Sequence, residues 1–194
     1  MKYSDGGWLL KEGFEVKYAV HVYDVQQQAD KLILYLPYSH VAHKGGTLDG
    51  GLLTMEVTTP HEEGLVEPAI SEDETTYRYQ AGKLALVITK GEDLTMSFYY
   101  QDRLLVQSFP RSKAYVVDPD GRPHISEQLS LGVGEKIYGL GERFTNFVKN
   151  GQSVDIWNAD GGTGTEQAYK NIPFYLSNQG YGVFVNSPDK VSFE

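Results

Sequence analysis

The sequence predicts an all-β fold, and three observations carry that expectation. Nearly every apolar stretch is short and rich in Val, Ile, Leu, Tyr and Phe. Turn residues separate these stretches at close intervals, the pattern of a β-sandwich. No stretch holds a 3.6-residue apolar period over three helical turns.

The elements follow in chain order. Phe14 to Val25 mixes Val, Tyr and Phe with polar residues and ends before Gln26-Gln-Gln-Ala-Asp30, so it reads as a strand. Lys31-Leu-Ile-Leu-Tyr-Leu36 is the next strand, expected to stop at Pro37, which has no N–H to give to a ladder. The stretch from Glu62-Glu63 to Glu74 reads as an acidic, solvated loop. Thr76 to Gln80 and Lys83 to Thr89 flank Ala81-Gly82, a hairpin pattern. Leu94 to Tyr100 and Arg103 to Ser108 pair in the same way around Gln101-Asp102. Thr165-Glu-Gln-Ala-Tyr-Lys170 could form a helical turn or two, with Thr165 as cap and Pro173 as stop. Ile172 to Ser177 and Tyr181 to Asn186 flank Asn178-Gln-Gly180, where glycine takes a positive φ cheaply. Val191-Ser-Phe193-Glu194 opens a new alternation as the sequence stops. With no linker, repeat or low-complexity tract, residues 1–194 are expected to be a single domain, and that abrupt stop reads as the edge of a piece cut from a longer protein.

Composition narrows the function. Hydrophobic residues make up 40% and charged residues 22%, the balance of a soluble globular chain. A formal net charge of −9 repels phosphate, which argues against nucleic-acid and anionic-membrane partners. The chain has no cysteine, so thiol catalysis, disulfides and thiolate metal sites are excluded. The N-terminus lacks an apolar signal-peptide core, and a cytoplasmic location is expected. The longest aliphatic-aromatic runs, Leu32 to Leu36 and Leu84 to Ile88, are too short to span a bilayer.

Several motifs resolve to structural readings. His40 and His43 lie close together, but no full ligand set accompanies them, so no metal or cofactor is expected. Gly132-Val-Gly134 and Gly139-Leu-Gly141 fail the dinucleotide fingerprint, because Phe144 stands where its third glycine belongs and no helix follows. Bends between strands explain these glycines more simply.

The densest chemistry lies between Tyr138 and Tyr175. Carboxylates Glu142, Asp155, Asp160 and Glu166 occur there among Phe144, Phe147, Trp157, Tyr169 and Phe174. Carboxylates accept bonds from sugar hydroxyls, and aromatic rings cover the C–H faces of a pyranose. Asp155 with Asp160, or Asp160 with Glu166, has the residue types of a glycosidase pair, whose members must sit about 5 Å apart in retaining enzymes. From spacing alone the simpler reading is structural: an ion pair at Glu142 or Arg143, a core tryptophan, and glycines that turn corners.

At these residues the chain resembles a known family. Tyr138-Gly-Leu-Gly-Glu-Arg-Phe144, Trp157-Asn-Ala-Asp-Gly-Gly-Thr163, Glu166-Gln-Ala-Tyr-Lys-Asn-Ile-Pro-Phe-Tyr175 and Tyr181-Gly-Val-Phe-Val-Asn186 resemble the N-terminal β-sandwich of glycoside hydrolase family 31, in its bacterial α-xylosidase branch. Gly46-Thr-Leu-Asp-Gly-Gly-Leu-Leu-Thr54 is similar as well. The resemblance implies a galactose-mutarotase-like β-supersandwich that packs on a downstream catalytic (β/α)₈ barrel. It places both catalytic aspartates on that barrel, so none is expected in this chain. It implies a sandwich loop over the barrel mouth, with an acidic side chain meeting the sugar at the leaving-group side. The matching position is Asp160, and Trp157 and Asn158 are expected to shape the loop. Glu142 and Arg143 are expected to be structural, bracing the loop or the domain junction.

The expected partners are an α-xyloside or α-glucoside and the barrel, and the full-length enzyme could form a homo-oligomer by analogy with the branch. Two alternatives remain: a free-standing carbohydrate-binding module with Trp157, Tyr169 and Tyr175 as a stacking platform, or a purely structural sandwich.

Overall fold

The computed structural model describes residues 1–5, 9–47, 50–59, 67–158 and 170–194. These gather into two compact units, one of residues 11–130 and one joining residues 1–10 to 131–194. Among the described residues no helix is long and apolar enough to cross a membrane.

Strands dominate. Strands β1 (Ser4–Asp5) and β2 (Leu9–Leu10) form a short antiparallel pair. The larger unit then holds β3 (Glu15–Tyr18), β4 (Asp24–Gln27), β5 (Lys31–Pro37), β6 (Leu52–Thr58), β7 (Ala69–Glu72) and β8 (Thr76–Ala81). It continues with β9 (Leu84–Thr89), β10 (Met96–Tyr100), β11 (Arg103–Ser108), β12 (Lys113–Val117) and β13 (Pro123–Glu127). Its sheets run β4-β5-β6, β11-β10-β9-β8-β7 and β13-β12-β3.

The core of this unit lies between the first two sheets. Leu32, Leu34 and Leu36 of β5 meet Tyr79, Leu86, Ile88 and Met96 from the five-stranded sheet, with Leu53, Met55 and Val57 of β6 packed alongside. Those β6 residues alternate with exposed Leu52, Thr54, Glu56 and Thr58, the period-two pattern of a strand with one wet face. Burying each such aliphatic side chain stabilises the unit by about 1.5–3 kcal/mol.

The expected hairpins around Ala81-Gly82 and Gln101-Asp102 both form, with Gln101 in the left-handed region at φ 55°. Strand β5 runs one residue further than expected, since Pro37 ends it opposite Leu52 and its carbonyl accepts the Val20 amide at 3.0 Å.

One expectation needs correction. Phe14 to Val25 is two strands, because β3 pairs with β12 while β4 pairs with β5 in another sheet. The chain crosses between them at residues 19–23, where Ala19 is buried in the core and its amide donates to the Lys113 carbonyl. No Gly or Pro marks that corner in the sequence.

The smaller unit holds β14 (Ile137–Gly139), β15 (Val154–Ile156), β16 (Phe174–Ser177), β17 (Tyr181–Phe184) and β18 (Val191–Phe193). One sheet runs β14-β16-β17, and β15 pairs with β18. Between them Leu140, Val154 and Ile156 form a small core, with Tyr175, Val191 and Phe193 against it. This unit carries both stems of the segment 159–169.

Candidate functional site

The site begins with a backbone bend. Gly139, Leu140 and Gly141 take φ of 109°, 67° and 82°, three successive residues in the left-handed region. The bend drops Leu140 into the core at 2% exposure. It also brings the backbone onto the chain that leaves the 159–169 segment: the Leu140 amide donates to the Phe174 carbonyl and the Glu142 amide to the Lys170 carbonyl, each at 2.9 Å. A Cβ on Gly141 would stand 2.0 Å from the Lys170 oxygen, so only glycine fits.

Arg143 follows the bend and turns back over it. Its Nε donates to the Leu140 carbonyl at 3.0 Å, and its Nη2 donates to the Asp155 carbonyl at 3.2 Å and to Asn171 Oδ1. Asn171 completes the bracket: its Nδ2 donates to the Trp157 carbonyl at 3.0 Å and to Asn158 Oδ1 at 2.8 Å. Asp155, Trp157 and Asn158 belong to the entering stem, and Asn171 to the leaving one. One guanidinium and one carboxamide thus tie both stems together.

The other carboxylates beside this bracket have structural work. Glu142 faces Lys170 at 3.8 Å, both exposed, an ion pair of little energetic consequence. Asp155 accepts from Lys190 at 2.7 Å and from Ser192 across the β15-β18 pair. Burial raises its pKa, but the bonds from Lys190 and Ser192 outweigh this and hold it below the usual carboxylate range. Glu135 is buried and accepts from Ser177 Oγ, from the Tyr181 hydroxyl at 2.7 Å and from the Gly132 amide at 2.8 Å.

The sequence matches the family model for the glycosyl hydrolase 31 N-terminal galactose mutarotase-like domain over residues 49–194. The chain belongs to glycoside hydrolase family 31. Its fold class is therefore all-β and galactose-mutarotase-like. Along its whole length this family 31 domain is 40% identical to the alpha-xylosidase XylQ of Lactiplantibacillus pentosus, of which it covers 28%. It is likewise 38% identical to an alpha-xylosidase of Emericella nidulans, of which it covers 30%. The chain thus spans less than a third of these relatives. Among solved structures, the cycloalternan-forming enzyme of Listeria monocytogenes superposes with a TM-score of 0.73. That match covers 93% of this chain and 18% of the enzyme at 18% identity, a likeness of fold.

Of the residues singled out in the sequence, Trp157 and Asn158 stand on the entering stem. The Trp157 side chain is 56% exposed while its carbonyl is held, and Asn158 is held by its side chain. Asp160 lies outside the described residues, as do Glu166, Tyr169, Glu62, Glu63 and residues 165–169 of the anticipated helical turn. The Tyr175 ring packs on Phe193 and Tyr181 beside the core, and burial pushes its hydroxyl up to about 12. The residue that sequence reasoning missed is Asn171. Its partners are 13, 14 and 28 positions away, so no local spacing announces it.

Proposed function

We propose that this chain is the N-terminal, non-catalytic domain of a full-length retaining α-glycosidase, with α-xylosides as its first substrate class and α-glucosides next. In this reading the 159–169 loop reaches the sugar held by a downstream catalytic barrel, and the fragment alone is inactive. The observation that carries the reading is the Arg143–Asn171 bracket. A loop that contributes to a site elsewhere must leave its scaffold from a fixed base, and the four bonds across its stems supply one. Whole-length identity to two alpha-xylosidases supports the substrate class.

The chemistry divides accordingly. One carboxylate of the barrel attacks the anomeric carbon while an acid protonates the departing oxygen, and water then releases the sugar from the covalent glycosyl-enzyme. Asp155, Glu142 and Glu135 of this chain are engaged with their own neighbours, which fits a supporting role. Asp160 would accept hydroxyl hydrogen bonds from the leaving sugar. The cytoplasm is the proposed compartment, in keeping with a cysteine-free chain, and homo-oligomers of the full-length enzyme are compatible with this role.

The test is Asp160→Ala in the full-length enzyme. A charged hydrogen bond contributes about 1.5–3 kcal/mol, so kcat/KM on an α-xylosyl disaccharide should fall by about 10- to 150-fold. An aryl α-xyloside, whose leaving group offers no such hydroxyls, should react as before. An unchanged kcat/KM on the disaccharide removes Asp160 from the site.

A further inference from the structure

The outer face of strands β7, β8 and β9 carries a polar cleft. Tyr79, Leu86 and Ile88 enter the core, so the residues that alternate with them face outward. Ser71 stands opposite Arg78, and Arg78 opposite Val87, which puts these three side chains in one outward row. With Glu72, Asp73 and Thr76 they line a cleft of about 200 Å³, smaller than a drug-sized pocket and suited to a single small ring. Ser71 is exposed, while Arg78 and Val87 are half-buried.

Two opposite charges line this cleft, and each is tied back by its own neighbours rather than closed on the other. The Arg78 guanidinium donates from Nε and Nη2 to Gln80 Oε1 at 3.2 and 2.7 Å, and Gln80 Nε2 is anchored in turn on the Gly82 carbonyl at 2.5 Å. Those bonds use two of the five guanidinium N–H groups, and among the described residues no carboxylate pairs with Arg78. Asp73 Oδ1 accepts from the Thr75 and Thr76 amides and from the Thr75 hydroxyl. Its Oδ2 accepts from the Thr76 hydroxyl at 2.8 Å and has capacity for a further donor. Glu72 is taken by Lys90 at 3.0 Å. A fixed donor and a fixed acceptor thus flank the apolar floor that Val87 provides, a preorganised arrangement.

We propose that this cleft binds one ring of a neutral saccharide. The unused N–H groups of Arg78 donate to one ring hydroxyl, Asp73 Oδ2 accepts from the neighbouring hydroxyl, and Val87 covers a C–H edge of the ring. A hydroxyl both donates and accepts, so adjacent hydroxyls answer a cation and an anion at once. A simple anion would meet Asp73 and a net charge of −9, and a simple cation would meet Arg78. The cleft shares no residue with the Arg143–Asn171 bracket, so the assignment stands apart from the role proposed for the 159–169 loop.

Phenylglyoxal modification of Arg78 tests this in the 194-residue chain and in the full-length enzyme. Peptide mass spectrometry times the reaction at Arg78 against rising methyl β-D-xylopyranoside, a pyranoside that an α-glycosidase does not consume. Arg122, exposed in the β12-β13 link, is the control. The expected result is saturable protection of Arg78, half complete at about 1–10 mM, with Arg122 unchanged. Asp73→Asn keeps the turn-forming oxygen but removes the charge, and it should raise that concentration at least about tenfold. Ser71→Phe, at an exposed position of the sheet's end strand β7, fills the cleft and should abolish the sugar dependence. No protection at about 100 mM overturns the proposal, as does protection that both variants leave unchanged. Equal protection by glycerol overturns it too, because no ring is then recognised, and so does protection by sodium sulfate at lower concentration than by the pyranoside. Activity of the same samples on an α-xyloside keeps the two readings apart. An active enzyme without protection at Arg78 sinks the cleft alone, and protection in an enzyme inactive on α-glycosides sinks the substrate assignment alone.

Discussion

Asn171 uses both ends of its carboxamide, accepting from Arg143 and donating to Trp157 and Asn158. On the proposed function, Asn171→Ala in the full-length enzyme should lower kcat/KM on a disaccharide by about tenfold, in line with lost hydrogen bonds between the stems at 155–158 and 171. In an Asp160→Ala background the same change should have little further effect, because both act through one loop. Full additivity of the two would place the bracket's role elsewhere. Arg143 ties both stems of the 159–169 segment, in line with the structural role expected of it, whereas Glu142 faces Lys170. Asn171 was not legible, since an asparagine before Ile172-Pro173 reads locally as an ordinary turn residue. Buried Glu135 was equally hidden.

A pH response follows from the Glu135 cluster. Burial, and then the hydrogen bond to Glu135, raises the Tyr181 hydroxyl above its ordinary value of 10. A phenol whose folded pKa lies above its unfolded one leaves stability intact below about pH 10 and erodes it as pH rises further, because only the unfolded state then releases the proton. Urea midpoints from pH 9 to 12 should therefore fall more steeply for the parent than for Tyr181→Phe. Parallel slopes would show that Tyr181 does not titrate differently on folding.

Turns decide what is visible at the scale of elements. The β8-β9, β10-β11 and β16-β17 hairpins were legible because two β-rich runs flank short links with turn residues. The β12-β13 hairpin was overlooked although its link, Asp118-Pro-Asp-Gly-Arg122, is a strong turn signature. Its Asp118 Oδ1 accepts from the Asp120 and Arg122 amides at 3.0 and 2.8 Å. The split of Phe14 to Val25 was not legible, because a sheet-to-sheet crossing needs only a buried alanine and long-range backbone partners.

The β7-β8 link gives a sharper expectation. Asp73 accepts from the Thr75 and Thr76 amides at 2.7 and 2.8 Å and from both threonine hydroxyls. The Thr75 amide first, then the Thr76 hydroxyl and amide, pull its pKa down to about 2. A depressed carboxylate contributes stability above its unfolded pKa that is lost as pH falls through the folded one. That loss should fall between pH 4 and 2, and thermal unfolding of Asp73→Asn should lack this part of the acid limb. An acid limb identical to the parent's contradicts the assignment.

For the molecule as a whole, the strand-and-turn rhythm and the missing helical period predicted the fold class, and the four segments between Tyr138 and Asn186 pointed to the family. The exposure of Leu176 and Phe184 in the β16-β17 hairpin was not legible, because Phe, Leu and Tyr in a strand read alike whether they face a core or solvent. The most direct measurement is turnover of an α-xylosyl disaccharide by the 194-residue chain and by the full-length enzyme at equal concentration. Turnover by the full-length enzyme with none above the uncatalysed rate for the 194 residues is the expected result. Hydrolysis by the 194-residue chain itself would contradict the account.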